Sequence, residues 1–210
     1  MPKGFFVTGT DTNVGKTVLS SLLCAALRGT YWKPIQTGSS EGTDRQTVIG
    51  LAGLDVADAA PEVYVFDDPV SPHLAAERAR CEISLERINL PPGNGERPLI
   101  VEGAGGVMVP INRHQFMMDL MRQLGLPVIL AARSTLGTIN HTLLSIRCLE
   151  SAQIRVHGVV LIGPPNLDNK QAIERYGGKP VIGELPPLEN IDRASLESVF
   201  HRHFIREAFA

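Results

Sequence analysis

Residues 9–17 read GTDTNVGKT, and the reading of this stretch decides the fold. A short apolar run, Phe5-Phe6-Val7-Thr8, stands before it. After it, Val18, Leu19, Leu22 and Leu23 fall on one side of a helical repeat. A glycine-bearing turn that leaves a strand and opens an apolar helix is the context of a phosphate-binding loop. Its consecutive backbone N–H groups and the helix N-terminus turn positive partial charge toward phosphate. Gly15 lets the backbone come close. Lys16 bridges the outer phosphates, and the Thr17 hydroxyl is placed to ligate Mg²⁺. Five residues separate Gly9 from Gly15, one more than in the common G-x-x-x-x-G-K-T spacing.

Outward from the loop, apolar runs alternate with longer amphipathic ones. Strands are expected at 5–8, 31–33, 99–102, 128–132, 156–162 and 181–183. Helices are expected at 16–27, 44–51, 117–124, 138–151, 169–176 and 192–208. This alternation predicts an α/β fold of the P-loop NTPase type, a mainly parallel sheet with helices on both faces. The 210 residues suffice for one such domain over 1–210. The Pro- and Gly-rich stretch 90–98 reads as a loop before a central strand. In open parallel sheets, ligands gather at the carboxyl ends of strands, so chemistry is expected in the loops after Thr8, Lys33, Glu102, Arg133 and Ile162.

A formal net charge of −2 argues against a nucleic-acid or anionic-membrane surface. No apolar run reaches the roughly 20 residues of a membrane span. The three cysteines, Cys24, Cys81 and Cys148, make neither a metal-type pair nor a disulfide framework. With an N-terminus lacking signal-peptide character, they predict a cytoplasmic protein.

Two further features point to anion chemistry. Glu102 closes the apolar run Leu99-Ile100-Val101 and precedes the glycine-rich turn Gly103-Ala104-Gly105, so all four are expected at the phosphates. Mg²⁺ takes one or two carboxylates besides phosphate and water, which suits Glu102. Asp44, on residue type alone, reads equally as a helix cap or a ligand. Lys33 stands at a strand end before Pro34 and small polar residues; it reads as a second anion site or as a solvated loop lysine. Gly137, Thr138 and Asn140 read as a helix start able to take a carboxylate.

In combination, these motifs resemble the dethiobiotin synthase family. The matching stretches are GTDTNVGKT (9–17), KPIQTG (33–38), EGTDRQTV (41–48), SPHLAA (71–76), VEGAGGVMVP (101–110), LPVILAARSTLGTINHT (126–142), HGVVL (157–161) and GELPPL (183–188). The resemblance implies that Lys16 and the amides of Asn13, Val14, Gly15, Thr17 and Val18 hold the triphosphate. It places Thr17, Asp44 and Glu102 around Mg²⁺ and makes Lys33 the active-site lysine. Thr12 and Thr37 would lie against the diamine and its carbamate. Gly137, Thr138 and Asn140 would grip the distant carboxylate of the substrate from the other subunit of a homodimer. Pro186, Pro187 and Leu188 would border the base. The implied substrates are 7,8-diaminononanoate, CO₂ and a nucleoside triphosphate such as ATP. In the implied reaction, a carbamate attacks the γ-phosphate, and the second amine closes the ureido ring through a carbamic–phosphoric anhydride. Two anions about 4 Å apart repel by roughly 4 kcal/mol at an effective dielectric near 20, which Lys16, Lys33 and Mg²⁺ would offset.

The chain departs from the family at two points. Ile162-Gly163 replaces the Asn-Asp pair whose Asn reads the adenine edge, and an apolar residue there predicts weak base selectivity. Asn13 stands where some relatives carry Glu, which removes one charge but not the backbone role of the loop. Three rival readings are a P-loop ATPase switch, a cobyrinate-type amidating synthase and a non-catalytic nucleotide-binding regulator. Switch ATPases often carry an early loop lysine where this chain has Asp11, the amidating reaction needs a glutamine-hydrolysing domain, and a regulator has no need of Lys16, Thr17, Lys33, Asp44 and Glu102 together.

Overall fold

The computed structural model describes residues 4–92 and 97–209. The middle of the loop expected at 90–98 lies outside the described residues, as do Met1, Pro2 and Lys3 of the expected N-terminal approach. In chain order the elements are β1 (Gly4–Gly9), α1 (Lys16–Leu27), β2 (Thr30–Trp32), β3 (Ile35–Thr37), α2 (Asp44–Ala52), β4 (Ala59–Ala60), β5 (Tyr64–Phe66), α3 (Pro72–Arg78), β6 (Leu99–Gly106), α4 (Met117–Leu124), β7 (Val128–Arg133), α5 (Thr138–Ser151), β8 (Val156–Ile162), α6 (Leu167–Gly177), β9 (Val181–Leu185) and α7 (Arg193–His203).

The main sheet has seven strands in the order β4-β2-β6-β1-β7-β8-β9, and every neighbouring pair is parallel. Parallel sheets are covered on both faces, which is why these strands read as unbroken apolar runs. Side chains alternate across the sheet. Phe5 and Val7 join Leu19 and Leu22 of α1, Val48 of α2 and Leu196 of α7 in one core layer. Phe6 joins Met117 and Leu120 of α4, Ile146 and Leu149 of α5 and Ile173 of α6 in the other. The expected α/β architecture with helices on both faces is therefore present. The strand β1 lies between β6 and β7, so the loop that follows it leaves the middle of the sheet.

Several expected boundaries shift, each for a local reason. The strand expected at 31–33 stops at Trp32, because Pro34 has no N–H to donate to a ladder. The chain bends there, and β3 pairs with β5 in a separate two-stranded parallel sheet. Lys33 thus sits at the elbow between two sheets. The strand expected to end at Glu102 continues to Gly106, so Gly103, Ala104 and Gly105 are strand and not the turn the glycines predict. Its register against β1 jumps at that point: Val7 faces Glu102, whereas Gly9 faces Gly106. Such a bulge re-aims side chains at the rim of a sheet. The helix expected over 192–208 ends at His203, because Phe204 turns back, buried, to bridge Gly183. Asn166 caps α6 by accepting from the Asn169 N–H, which starts that helix earlier than 169.

Candidate active site

The loop after β1 is built by two glycines. A Cβ on Gly9 would lie 2.6 Å from Val14 Cγ1 and 2.8 Å from the Asp11 carbonyl oxygen, so only glycine lets the loop fold over its own start. Gly15 caps α1 at φ 100°, in the left-handed region, and a Cβ there would meet Ile162 Cδ1 and Cγ2 at 3.2 Å. Asn13 also takes a positive φ of 55°, which Asn tolerates better than most residues. Lys16 is buried, and its ammonium folds back to donate to the Asp11 carbonyl at 3.2 Å. Burial lowers its pKa below the ordinary lysine value; Glu102 opposes that shift and Lys33 adds to it. A buried ammonium held only by a carbonyl is ready for an anion. Arg133, at the end of β7, donates to the Thr12 carbonyl at 3.0 Å and lies 3.5 Å from Asp11 Oδ2. The sequence reading did not select this arginine, although a basic residue at the carboxyl end of the strand beside β1 was a usable signal.

A cluster of charges lies beside this loop. The single proton of the Thr17 hydroxyl is shared between Asp44 Oδ1 at 2.8 Å and Glu102 Oε1 at 3.0 Å. Lys33 Nζ donates to Asp44 Oδ2 at 2.5 Å and to Glu102 Oε1 at 3.2 Å. Lys33 and Glu102 are 6% and 1% exposed, so this is a buried arrangement in which each charge needs its partners. Burial works against the charge on Lys33, but Glu102, then Asp44 and the hydrogen bonds to both, raise its pKa above the ordinary lysine value. Burial also works against the charge on Asp44, yet Lys33 together with hydrogen bonds from Lys33, Thr17 and Gln36 holds that carboxyl below its usual range.

Asp44 is not the cap of α2. Thr43 is the N-cap of α2, with a reciprocal capping box to Gln46. That frees the Asp44 side chain, first in the helix, to face Thr17 and Lys33. Gln36, buried on β3, accepts the Asp44 N–H at 3.2 Å and donates to the Thr37 carbonyl at 2.7 Å. Tyr31 donates its hydroxyl to Glu102 Oε2 at 3.0 Å. Burial, then Glu102, pushes its pKa well above the ordinary tyrosine value, so the phenol keeps the proton it donates. The sequence reading missed Gln36 and Tyr31. The signal for Tyr31 was its alternation with Lys33 on one face of the strand.

The other expected residues are placed as follows. Thr12 is exposed on the loop, and Thr37 is half-buried at the end of β3. Gly103 and Ala104 are buried, and a Cβ on Gly103 would meet Phe6 and Met117, in the layer away from α1. At the head of α5, Gly137 and Asn140 are exposed. Thr138 is not: it is 5% exposed, and its hydroxyl pairs with that of Thr142 at 3.3 Å. Pro186 and Leu188 are half-buried and Pro187 is exposed, directly after β9. There the Gly163 N–H donates to the Leu185 carbonyl at 2.9 Å. With Ile162 against Gly15, that contact joins the ends of β8 and β9 to the phosphate loop.

Divalent-cation chemistry fits the donors present. One carboxylate oxygen of Asp44 and one of Glu102 each lie within 3.0 Å of the Thr17 hydroxyl, and all three are hard oxygen donors. Among the described residues, no group of three or more His, Cys, Asp or Glu could hold a metal by itself. Two carboxylates and a hydroxyl, with nucleotide oxygens and water completing the set, is the pattern for Mg²⁺ and not for a metal caged wholly by protein.

A family profile described as an AAA domain matches residues 3–195. An ATP-dependent dethiobiotin synthetase from Paramagnetospirillum magneticum is 49% identical over 194 residues, covering 92% of this chain and 93% of that protein. One of the same name from Rhodopseudomonas palustris is 44% identical, covering 100% of this chain and 97% of that protein. Among solved structures, a ParA family ATPase from Chlorobium tepidum superposes with a TM-score of 0.55 at 12% identity, covering 95% of this chain and 91% of that one. At that identity the likeness concerns the fold alone.

Proposed function

The chain belongs to the ATP-dependent dethiobiotin synthetase family, and from that premise we propose that Lys16, Lys33, Thr17, Asp44 and Glu102 are the machinery that brings a carbamate and a nucleoside triphosphate together. The enzyme is a ligase of biotin biosynthesis, and ATP is its co-substrate. The proposed partners of ATP in the reaction are 7,8-diaminononanoate and CO₂. The observation that carries the reading is the convergence of Lys33, from the elbow between the two sheets, on Thr17 of the phosphate loop through the shared acids Asp44 and Glu102.

The loop amides and Lys16 hold the outer phosphates. Thr17, Asp44 and Glu102 would hold Mg²⁺, which would supply charge neutralisation at the outer phosphates. Lys33 is parked on the two carboxylates until anions arrive. A carbamate and a γ-phosphate near it compete for its ammonium, and its flexible stem lets the charge follow the phosphoryl oxygen. Phosphoryl transfer to the carbamate asks for alignment and neutralisation, which these residues provide without covalent participation. Attack by the neighbouring amine on the mixed anhydride then releases phosphate and closes the ring. Thr12 and Thr37 flank the path of the diamine. The exposed Gly137 and Asn140 are proposed to hold the carboxylate of a substrate bound by the partner subunit of a homodimer. Thr138 is proposed to complete that grip, although its hydroxyl is turned inward to Thr142.

The test is a single assay. Purified protein is mixed with 7,8-diaminononanoate, bicarbonate, Mg²⁺ and ATP, and dethiobiotin is detected by mass. Ring product at a rate matched to ADP release supports the reading. Steady ATP hydrolysis with no ring product would instead place the chain among P-loop switches.

A further inference from the structure

Tyr31 has no role in the reaction as described. Its side chain is fully buried at 0% exposure, and its hydroxyl lies 3.0 Å from Glu102 Oε2. The two oxygens of Glu102 are served separately. Oε1 accepts from Thr17 and Lys33, while Oε2 accepts from Tyr31. The pairing of β2 with β6 sets this up: Tyr31 faces Ile100 and Trp32 faces Val101, so the phenol reaches the next inward residue, Glu102, along the same face as Lys33.

At 1% exposure Glu102 has no access to bulk water to satisfy Oε2. A buried carboxylate oxygen without a donor loses its hydration with no return. Lacking the phenol, Glu102 would gain by rotating to place both oxygens on Lys33 and Thr17. Those are the two groups that must be released when a cation and a phosphoryl group enter. We infer that Tyr31 is a positioning residue, whose hydroxyl holds Oε2 of Glu102 so that Oε1 faces the cation site and Lys33 stays free to move. The inference rests on the reading of Glu102 as a cation ligand.

The test uses the full chain carrying Tyr31→Phe, which keeps the ring and removes only the hydroxyl. Calorimetry measures binding of a non-hydrolysable ATP analogue with and without Mn²⁺, and the readout is the factor by which Mn²⁺ tightens binding. In the variant that factor falls about tenfold, the size seen when the partner of a metal ligand is removed. Binding without Mn²⁺ stays within about twofold. A variant with an intact Mn²⁺ factor and only a lower unfolding temperature overturns the inference, because Tyr31 is then packing alone. Absence of any Mn²⁺ factor in the unaltered protein overturns the cation reading instead. If Tyr31→Phe does not fold, 3-fluorotyrosine replaces Tyr31, keeping the ring and making the phenol a stronger donor to Glu102 Oε2. The inference requires the Mn²⁺ factor to move by more than about twofold. A factor equal to that of the unaltered protein overturns it.

Discussion

Lys33 Nζ lies 2.5 Å from Asp44 Oδ2, and both belong to a cluster that also includes Thr17 and Glu102. The lysine is therefore both a charge poised for chemistry and the counter-ion that lets two acids sit together in the interior. These two roles separate experimentally.

Lys33→Ala should leave ATP-analogue binding within a few-fold in the presence of Mg²⁺, because the phosphate loop is untouched. Turnover should fall about 10²–10³-fold, the scale for removing one preorganised charge-stabilising donor. Without ligands the variant should also lose roughly 3 kcal/mol in urea unfolding, since Glu102 is left buried beside Asp44 without the cation hydrogen-bonded to both. Near-normal turnover would remove Lys33 from the mechanism.

The Lys33–Asp44 pair should make stability insensitive to pH across the neutral range. The raised pKa of Lys33 contributes stability that is fully present below its unfolded value of 10.5 and is lost as pH rises through the higher folded value. The lowered pKa of Asp44 contributes stability present above 3.8 and lost as pH falls through the lower folded value. The unfolding free-energy gap between the protein and its Asp44→Asn variant should thus be constant from about pH 5 to about pH 9. A gap that shrinks steadily within that window would contradict the cited shifts.

Lys16 should make nucleotide binding consume protons at alkaline pH. Its pKa in the free protein is lowered mainly by burial, and a triphosphate against its ammonium raises it again. Affinity should start to fall at a pH below 10.5, the ordinary lysine value, and not at it. Calorimetry in two buffers of different ionisation enthalpy reads the proton uptake directly. An affinity flat to pH 10.5 would mean that Lys16 does not meet the phosphates.

Ile162 should leave the base poorly discriminated. Its terminal carbons crowd the space over Gly15, and it offers no donor or acceptor. Polar readout can separate substrates by about 10⁴-fold or more, whereas apolar contacts give roughly 10²-fold. The kcat/KM for ATP should therefore exceed that for GTP or CTP by no more than about 100-fold. Turnover confined to ATP would show that another group reads the base.

Part of the site was legible because it is local. The phosphate loop, its lysine and its threonine follow from a strand, a turn and a helix start within fourteen consecutive residues, from Gly4 to Thr17. Glu102 was legible as a carboxylate at the end of an apolar run, whereas Lys33 stayed open between an anion site and a solvated loop lysine until the family resemblance was drawn. The end of β6 was misread, since Gly103-Ala104-Gly105 looks like a turn yet is the bulge within the strand. Gln36 was invisible as a site residue, because nothing in its own neighbourhood names the acid it touches, and for Tyr31 the alternation with Lys33 gave a face but not the acid on it. Thr138 matched a motif, but the helical phase of α5 turned its hydroxyl into the core.

The sequence by itself determined the class of chemistry, because the geometry that cradles phosphate is set by a few adjacent dihedrals and needs no distant partner. Only the tertiary structure decided which charges meet. Thr17 and Glu102 are 85 positions apart, and Lys33 and Glu102 are 69 apart. They become neighbours because β2, β6 and β1 lie side by side in the sheet. Strand order and register are products of core packing across the whole sheet, and a pattern of apolar runs is compatible with many of them.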